Sequence, residues 1–184
     1  MNKVLYLVAF IMIFSMSCRK SNNNSDLFPT ETQEGKNTIG CYIEGNSFIG
    51  GTTLFGLVSQ LNVTYFKDST AYSGAGQLSI NGIDARYYLD NAGDIVINKF
   101  RVFGTGEYSL THVRNCGTIN SCDDIGYRNA KTGKTYFAES GKLTISKLDT
   151  LNKIVSGTFS FIAKDSAGLI IKVTNGRFDA KIKN

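Results

Sequence analysis

His112 is the one histidine in a chain of 184 residues, and any Ser–His–Asp or Cys–His catalyst built here must use it. No G-x-S-x-G elbow occurs. In GEYSLTHV (106–113) the histidine falls in the middle of an alternating strand, on the side of Tyr108 and Leu110. A strand histidine satisfied by its neighbours is the expectation, not a catalyst. Cys116 and Cys122 follow, on either side of GTINS. With His112 they make three zinc donors without a clear fourth, which falls short of a closed tetrahedral set. Outside the cytoplasm the same spacing is more simply a disulfide. It closes a loop of about seven residues, for which chain entropy gives roughly 2–2.5 kcal/mol. Cys41 is then left over as a small apolar residue on the Ile39/Ile43 face, though spacing leaves it open as a partner for either of the others.

Other candidates fail on context. RNAKTGKT (128–135) nearly spells a phosphate-binding loop, but Arg128 stands where a glycine belongs. The motif also needs a helix next, whose amides complete the anion site. Here YFAESGKLTIS follows and reads as strand, so Thr132–Gly133–Lys134 is a turn. Asp90, Asp94, Asp123 and Asp124 fit no calcium loop and read as solvated turn acids. Tyr65–Phe66 and Tyr87–Tyr88 place one ring on each side of a sheet. The outward ring of each pair is either ordinary sheet chemistry or a stacking surface for a sugar or protein. No metal and no cofactor is expected.

The address lies at the start of the chain. MNKVLYLVAFIMIFSMS (1–17) has a cation at Lys3, an apolar run over 4–14 and small or unbranched residues before Cys18. That is the composition of a secretory signal peptide. The apolar run is well short of the roughly 20 residues that span a bilayer. Small residues leading into a cysteine resemble the bacterial lipobox. The resemblance implies a diacylglyceryl group on the Cys18 thiol and cleavage just before it. Two or more acyl chains make a stable anchor. Residues 18–37 are polar, hold the only proline, Pro29, and read as a flexible tether of roughly 25 Å root-mean-square span.

The elements that must position everything else are strands. Nineteen glycines and many aromatic residues accompany short alternating runs separated by Gly, Asn, Asp and Ser. TIGCYIEGNSFIGG (38–51) reads as a hairpin turning at Gly45–Asn46. SQLNVTYF (59–66), GQLSING (76–82) and two strands within 84–103, around Asn91–Ala92–Gly93, follow. KTYFA (134–138) and GKLTISKL (141–148) precede the clearest pattern. In VSGTFSFIA (155–163), Val155, Gly157, Phe159, Phe161 and Ala163 share one face. After DSAG, Leu169, Ile171 and Val173 are expected inward and Lys172 outward. Asn175–Gly176 is either a turn or a bulge. Phe178, Ala180 and Ile182 then alternate against Arg177, Asp179 and Lys181. Residues 38–184 therefore form a single all-β domain, an antiparallel β-sandwich or alternatively a closed up-and-down β-barrel.

The lipobox, the polar tether ending in TQEGKNTIGCYIEG (32–45), and the segments GKLTISKLD (141–149), VSGTFSFIA (155–163) and VTNGRFD (173–179) resemble a family of uncharacterised lipoproteins common in Bacteroidota. The resemblance covers about a third of the domain, at its two ends. It implies an exported, anchored, all-β protein and brings no activity with it. Charge narrows the partners. Residues 141–184 hold eight Lys/Arg against three Asp/Glu. An exported lipoprotein rarely meets nucleic acid, so anionic lipid headgroups and acidic glycans remain as partners, and outward lysines also prevent edge pairing. The expected protein is attached to a bacterial membrane in the cell envelope, the outer membrane foremost. It is expected to be a non-catalytic module binding a protein or glycan, or alternatively a carrier with an apolar ligand inside a barrel.

Cys18→Ala is expected to abolish both processing at this site and incorporation of radiolabelled palmitate. Equal labelling of variant and parent would refute the anchor.

Overall fold

The computed structural model describes residues 28–51, 53–54, 57–58, 60–67, 75–86, 89–113 and 122–183. Cys18 and Cys116 lie outside the described residues, as do Tyr87 and Tyr88. The described residues form no helix. The strands are β1 (Thr38–Ile43), β2 (Asn46–Gly50), β3 (Thr53–Leu54), β4 (Leu57–Val58), β5 (Leu61–Lys67) and β6 (Gly76–Asp84). After them come β7 (Gly93–Val102), β8 (Gly106–Ser109), β9 (Asp124–Asn129), β10 (Thr135–Asp149), β11 (Ile154–Lys164) and β12 (Ile170–Lys181).

The expected all-β antiparallel class holds. One sheet of ten strands runs β2-β1-β12-β11-β10-β9-β7-β6-β5, with β8 beside β10, and β3 pairs β4 separately. The sheet curls until its edges nearly meet, so its two packed layers are opposite walls of one barrel-like surface. Closure uses the far end of β12. β1 flanks β12 as far as Asp179. Beyond it Lys183 bridges Thr64 of β5 in parallel, and its amide donates to Val63 O at 2.7 Å.

The interior follows from alternation. Val155, Phe159, Phe161 and Ala163 on β11 are buried, as are Ile171, Val173, Phe178 and Ala180 on β12. They join Ile39, Cys41, Phe48, Leu78, Ile80, Ile95, Ile97, Ile125, Leu143 and Ile145 in one core cluster. Phe159 and Phe161 stack with ring centroids 6.4 Å apart. The ring of Phe178 lies over Gly157, where an added Cβ would come within 3.0 Å of it. Asn175–Gly176 is the bulge, not a turn. Asn175 sits at φ 51°, the pairing of β12 shifts there against both neighbours, and β12 bends without breaking.

Four expectations change. The first hairpin turns at Glu44–Gly45, one residue early, because both adopt positive φ and Ile43 pairs Asn46. The stretch 134–148 is one strand, β10, with two bulges in place of a break. Between β6 and β7 the described residues 85–86 and 89–92 form no strand, and the Asp84 side chain holds the Arg86 amide at 3.1 Å at the start of this connection. Leu169 is 52% exposed and so stands outside, since the turn at Asp165 ends before the pleat begins.

Phe161→Ala should cost about 3–5 kcal/mol of the roughly 5–15 kcal/mol that hold such a domain. Lys172→Ala, on the outward face of β12, should stay within about 0.5 kcal/mol of the parent. Urea titration checks both, and equal losses would overturn the face assignment.

Candidate functional site

His112 lies just past β8 and outside any strand, where its amide donates to Ala138 O at 2.8 Å. Its ring packs on Phe137 with centroids 4.3 Å apart. Nδ1 comes within 3.1 Å of Asp124 Oδ1, but without hydrogen-bond alignment, so this buried nitrogen has charge proximity and no hydrogen bond. A hollow of about 370 Å³ opens beside it, lined by Thr111, Phe137, Ala138 and Glu139. Among the described residues no hydroxyl or thiol is hydrogen-bonded to His112 Nδ1.

Three of the four loop acids, Asp90, Asp94 and Asp123, are ion-paired rather than merely solvated, and Asp124 is the acid beside His112. Asp90 meets Lys131, whose hydrogen bond holds its carboxyl below the ordinary range. Arg128 Nε donates to Asp94 at 2.7 Å. Asp123 pairs with Lys99 and accepts the Phe100 amide at 2.8 Å. Each fastens a strand end to a neighbour. Cys122 is disulfide-bonded, while Cys41 is free and buried, so Cys41 is not its partner. Burial first, and then the Asp84 carboxylate, push the Cys41 thiol well above its ordinary pKa, which keeps it inert. Of the Tyr65–Phe66 pair, Tyr65 packs against the core and Phe66 is exposed.

Two buried carboxylates escaped the sequence reading. Asp84 continues the inward register of Leu78, Ile80 and Gly82 on β6 and is wholly buried. Arg86 Nε donates to it at 2.8 Å, and the Ile49 amide donates to it at 2.9 Å. The Arg86 guanidinium goes on to Ser47 O at 3.0 Å, which also accepts from Asn91 Nδ2 at 2.7 Å. Tyr127 O–H donates to Asn91 O at 2.9 Å, and burial pushes its phenol up to about 12. The signal for this group was an acid on an inward-facing strand position.

The second is Asp179. It lies on the outward face of β12 yet is buried, because residues 28–37 lie over it. Its oxygens accept from Gly35 N at 2.8 Å, Glu34 N at 3.1 Å and Lys36 N at 3.2 Å. The hydroxyls of Thr32 and Ser156 complete the set. Phe28 stacks on Tyr42 at 4.8 Å, and the Arg177 guanidinium lies over the Phe28 ring, 4.8 Å from its centroid. The composition of residues 18–37 marked them all as tether. Residues 28–37 are instead a strap running beside β12, because one carboxylate gathers three successive amides that the polar sequence does not advertise.

Between the strap and the outer face of β10–β12 lies an open trough of about 290 Å³, lined by Glu31, Lys142, Thr144, Thr158, Ser160 and Arg177 among others. It shares Lys142 and Ser160 with a second hollow of about 420 Å³ that reaches Ile162, Lys172 and Thr174. Lys142 Nζ is oriented by Glu107 at 2.8 Å. Hydroxyls and cations thus alternate along one open surface. Among the described residues no group of three or more His, Cys, Asp or Glu side chains is placed to hold a metal ion, and no helix is long and apolar enough to cross a membrane.

Fold and surface together define an all-β protein with a nearly closed antiparallel sheet and a hydroxyl-lined outer trough. No protein-family model, curated protein or solved structure matches the chain.

Burial acts to raise the Asp179 pKa, but the hydrogen bonds from Thr32, Gly35, Glu34 and Lys36 outweigh it and hold the carboxyl below its ordinary value. The unfolded chain therefore binds this proton more readily. The stability Asp179 contributes is complete above the unfolded pKa of about 3.9 and is lost as pH falls through the lower folded value. Asp179→Asn should cost roughly 1.5–3 kcal/mol near neutral pH. Its deficit against the parent should shrink below about pH 4 in urea titrations across pH, and a deficit that grows on acidification would sink this account.

Proposed function

We propose that this protein is an exported lipoprotein, anchored through Cys18 to a bacterial membrane, whose β-domain is a non-catalytic module that binds an envelope glycan or protein. The observation that carries the reading is the trough on β10–β12. Thr144, Thr158 and Ser160 present hydroxyls on alternate outward positions, and Lys142 and Arg177 flank them. Such a surface offers donors and acceptors to sugar hydroxyls and cations to a sugar carboxylate, and an acidic glycan suits it best. The packed interior supports binding outside over carriage inside. Phe48, Leu78, Ile80, Ile95, Ile97 and Leu143, which a carrier would need to line a cavity, are fully buried within one cluster.

The parent protein should be retained on immobilised uronic-acid polysaccharides. Lys142→Glu should weaken that retention about tenfold, the loss of one charge-assisted contact, with the unfolding midpoint unchanged. If the parent passes every acidic polysaccharide unretarded, or if Lys142→Glu binds like the parent, the trough is not a glycan site.

A further inference from the structure

The hairpin joining β11 to β12 carries three large apolar side chains in the open. Ile162 is 41% exposed, Leu169 52% and Ile170 53%. Asp165 builds the turn beneath them, accepting the amides of Ala167 at 2.9 Å and Leu169 at 2.8 Å through one oxygen. The tip is thereby held in a fixed shape. On the outward face Ile162 pairs Lys172 and Lys164 pairs Ile170, so two apolar and two cationic side chains form a chequer. Lys164 is only loosely engaged, 3.9 Å from Glu139, and the Lys172 ammonium forms no ion pair among the described residues, although the Lys172 amide donates to Glu44 Oε1. Aliphatic tips among long cationic stems are suited to the boundary of a bilayer, where the chains enter the acyl region and the ammonium groups stay with phosphate.

The path of the strap says which surface lies there. Asn37 accepts the amide of Lys181, Thr32 and Gly35 hold Asp179, and Phe28 sits on Tyr42, which pairs Thr174. Followed back from residue 37, the chain descends β12 toward the hairpin. From Thr174 to Leu169 is five residues of strand, about 17 Å. From Phe28 back to Cys18 are ten residues, which reach at most about 36 Å. At Phe28 the strap is therefore headed for the hairpin end, and ten residues are enough to bring Cys18 level with its tip.

We propose that the β11–β12 hairpin docks into the anionic face of the same bilayer that holds the Cys18 anchor, with Leu169, Ile170 and Ile162 at the acyl boundary and Lys164 and Lys172 on the phosphates. This rests on the anchored reading of Cys18 for its geometry, but the hairpin chemistry is independent of it. Docking sets the barrel upright with the Leu151 turn, at the other end of β11, pointing away from the membrane.

The chain contains no tryptophan, so Leu169→Trp and Leu151→Trp each give a single reporter in the full protein. Both are placed in vesicles of phosphatidylethanolamine and phosphatidylglycerol containing acyl-brominated lipid. Palmitate labelling scores the anchor separately. The Leu169→Trp emission should shift to the blue and be quenched severalfold more than that of Leu151→Trp, and Lys164→Glu with Lys172→Glu should remove most of that difference. Labelled protein whose two reporters are quenched alike overturns docking and leaves the anchor standing. Unlabelled protein in which only Leu169→Trp is quenched upholds docking and removes the anchor. Quenching of neither reporter in unlabelled protein overturns both.

Discussion

A sheet of ten strands has two edges, and the fold depends on what meets them. An open edge offers unpaired amides and carbonyls to any passing strand. In β2 the groups turned away from β1 include the amide of Ile49 and the carbonyl of Ser47. Asp84 takes the first and Arg86, with Asn91, takes the second. An acid and a guanidinium, locked to each other, thus occupy the hydrogen-bonding positions of a missing neighbour strand. The pair is buried, so its desolvation must be offset by full satisfaction of both groups, and removing either would strand the other. The ion pair lies between β2 and the end of β6, which brings the two ends of the sheet together. Core packing then follows, since Ile39 fits against Gly50 and Gly82 only if those edges approach.

Asp179 solves a different problem with the same chemistry. Among the described residues no cationic side chain pairs with its carboxylate. It gathers amides of a segment with no strand partner, and these donors rather than a cation stabilise the charge. A short run of backbone becomes an anion site once its amides converge, as at a helix N-terminus. The strap is consequently part of the domain, where composition assigns it to a tether.

What was legible in the sequence follows from which forces are periodic. The faces of β11 and β12 were readable because burial on one side imposes a strict two-residue repeat on Phe159, Phe161, Val173 and Phe178. The repeat misplaced Leu169 because alternation extends past the point where the strand has already become a turn. It missed Asp84, although that residue stands in register with Leu78 and Ile80, because an acid in an apolar register is normally read as the end of the strand. It missed Asp179 for a deeper reason. That residue is outward by parity and buried only by a segment far away in sequence, and no local pattern records such cover. The trough is invisible for the same reason, being made by Glu31 of the strap facing Lys142, Thr158 and Arg177 across three strands. The alternation in GEYSLTHV placed His112 within a strand, but β8 ends at Ser109 and His112 follows in the loop, its amide held by Ala138 O.

These pieces constrain one another through the strap. Phe28 contacts both Tyr42 and Arg177, and Arg177 is also a wall of the trough. The chain that would lead to the membrane therefore touches the surface that would take a ligand. A ligand carboxylate drawing Arg177 away from the Phe28 ring would weaken the outer end of the strap, while the Asp179 cradle further along would hold. A pull on the strap from its Phe28 end would meet these two contacts in turn. The Phe28–Tyr42 stack is half-buried, whereas the Asp179 carboxylate with its three amides is shielded, so the outer contact is the weaker one and the cradle on β12 lies behind it.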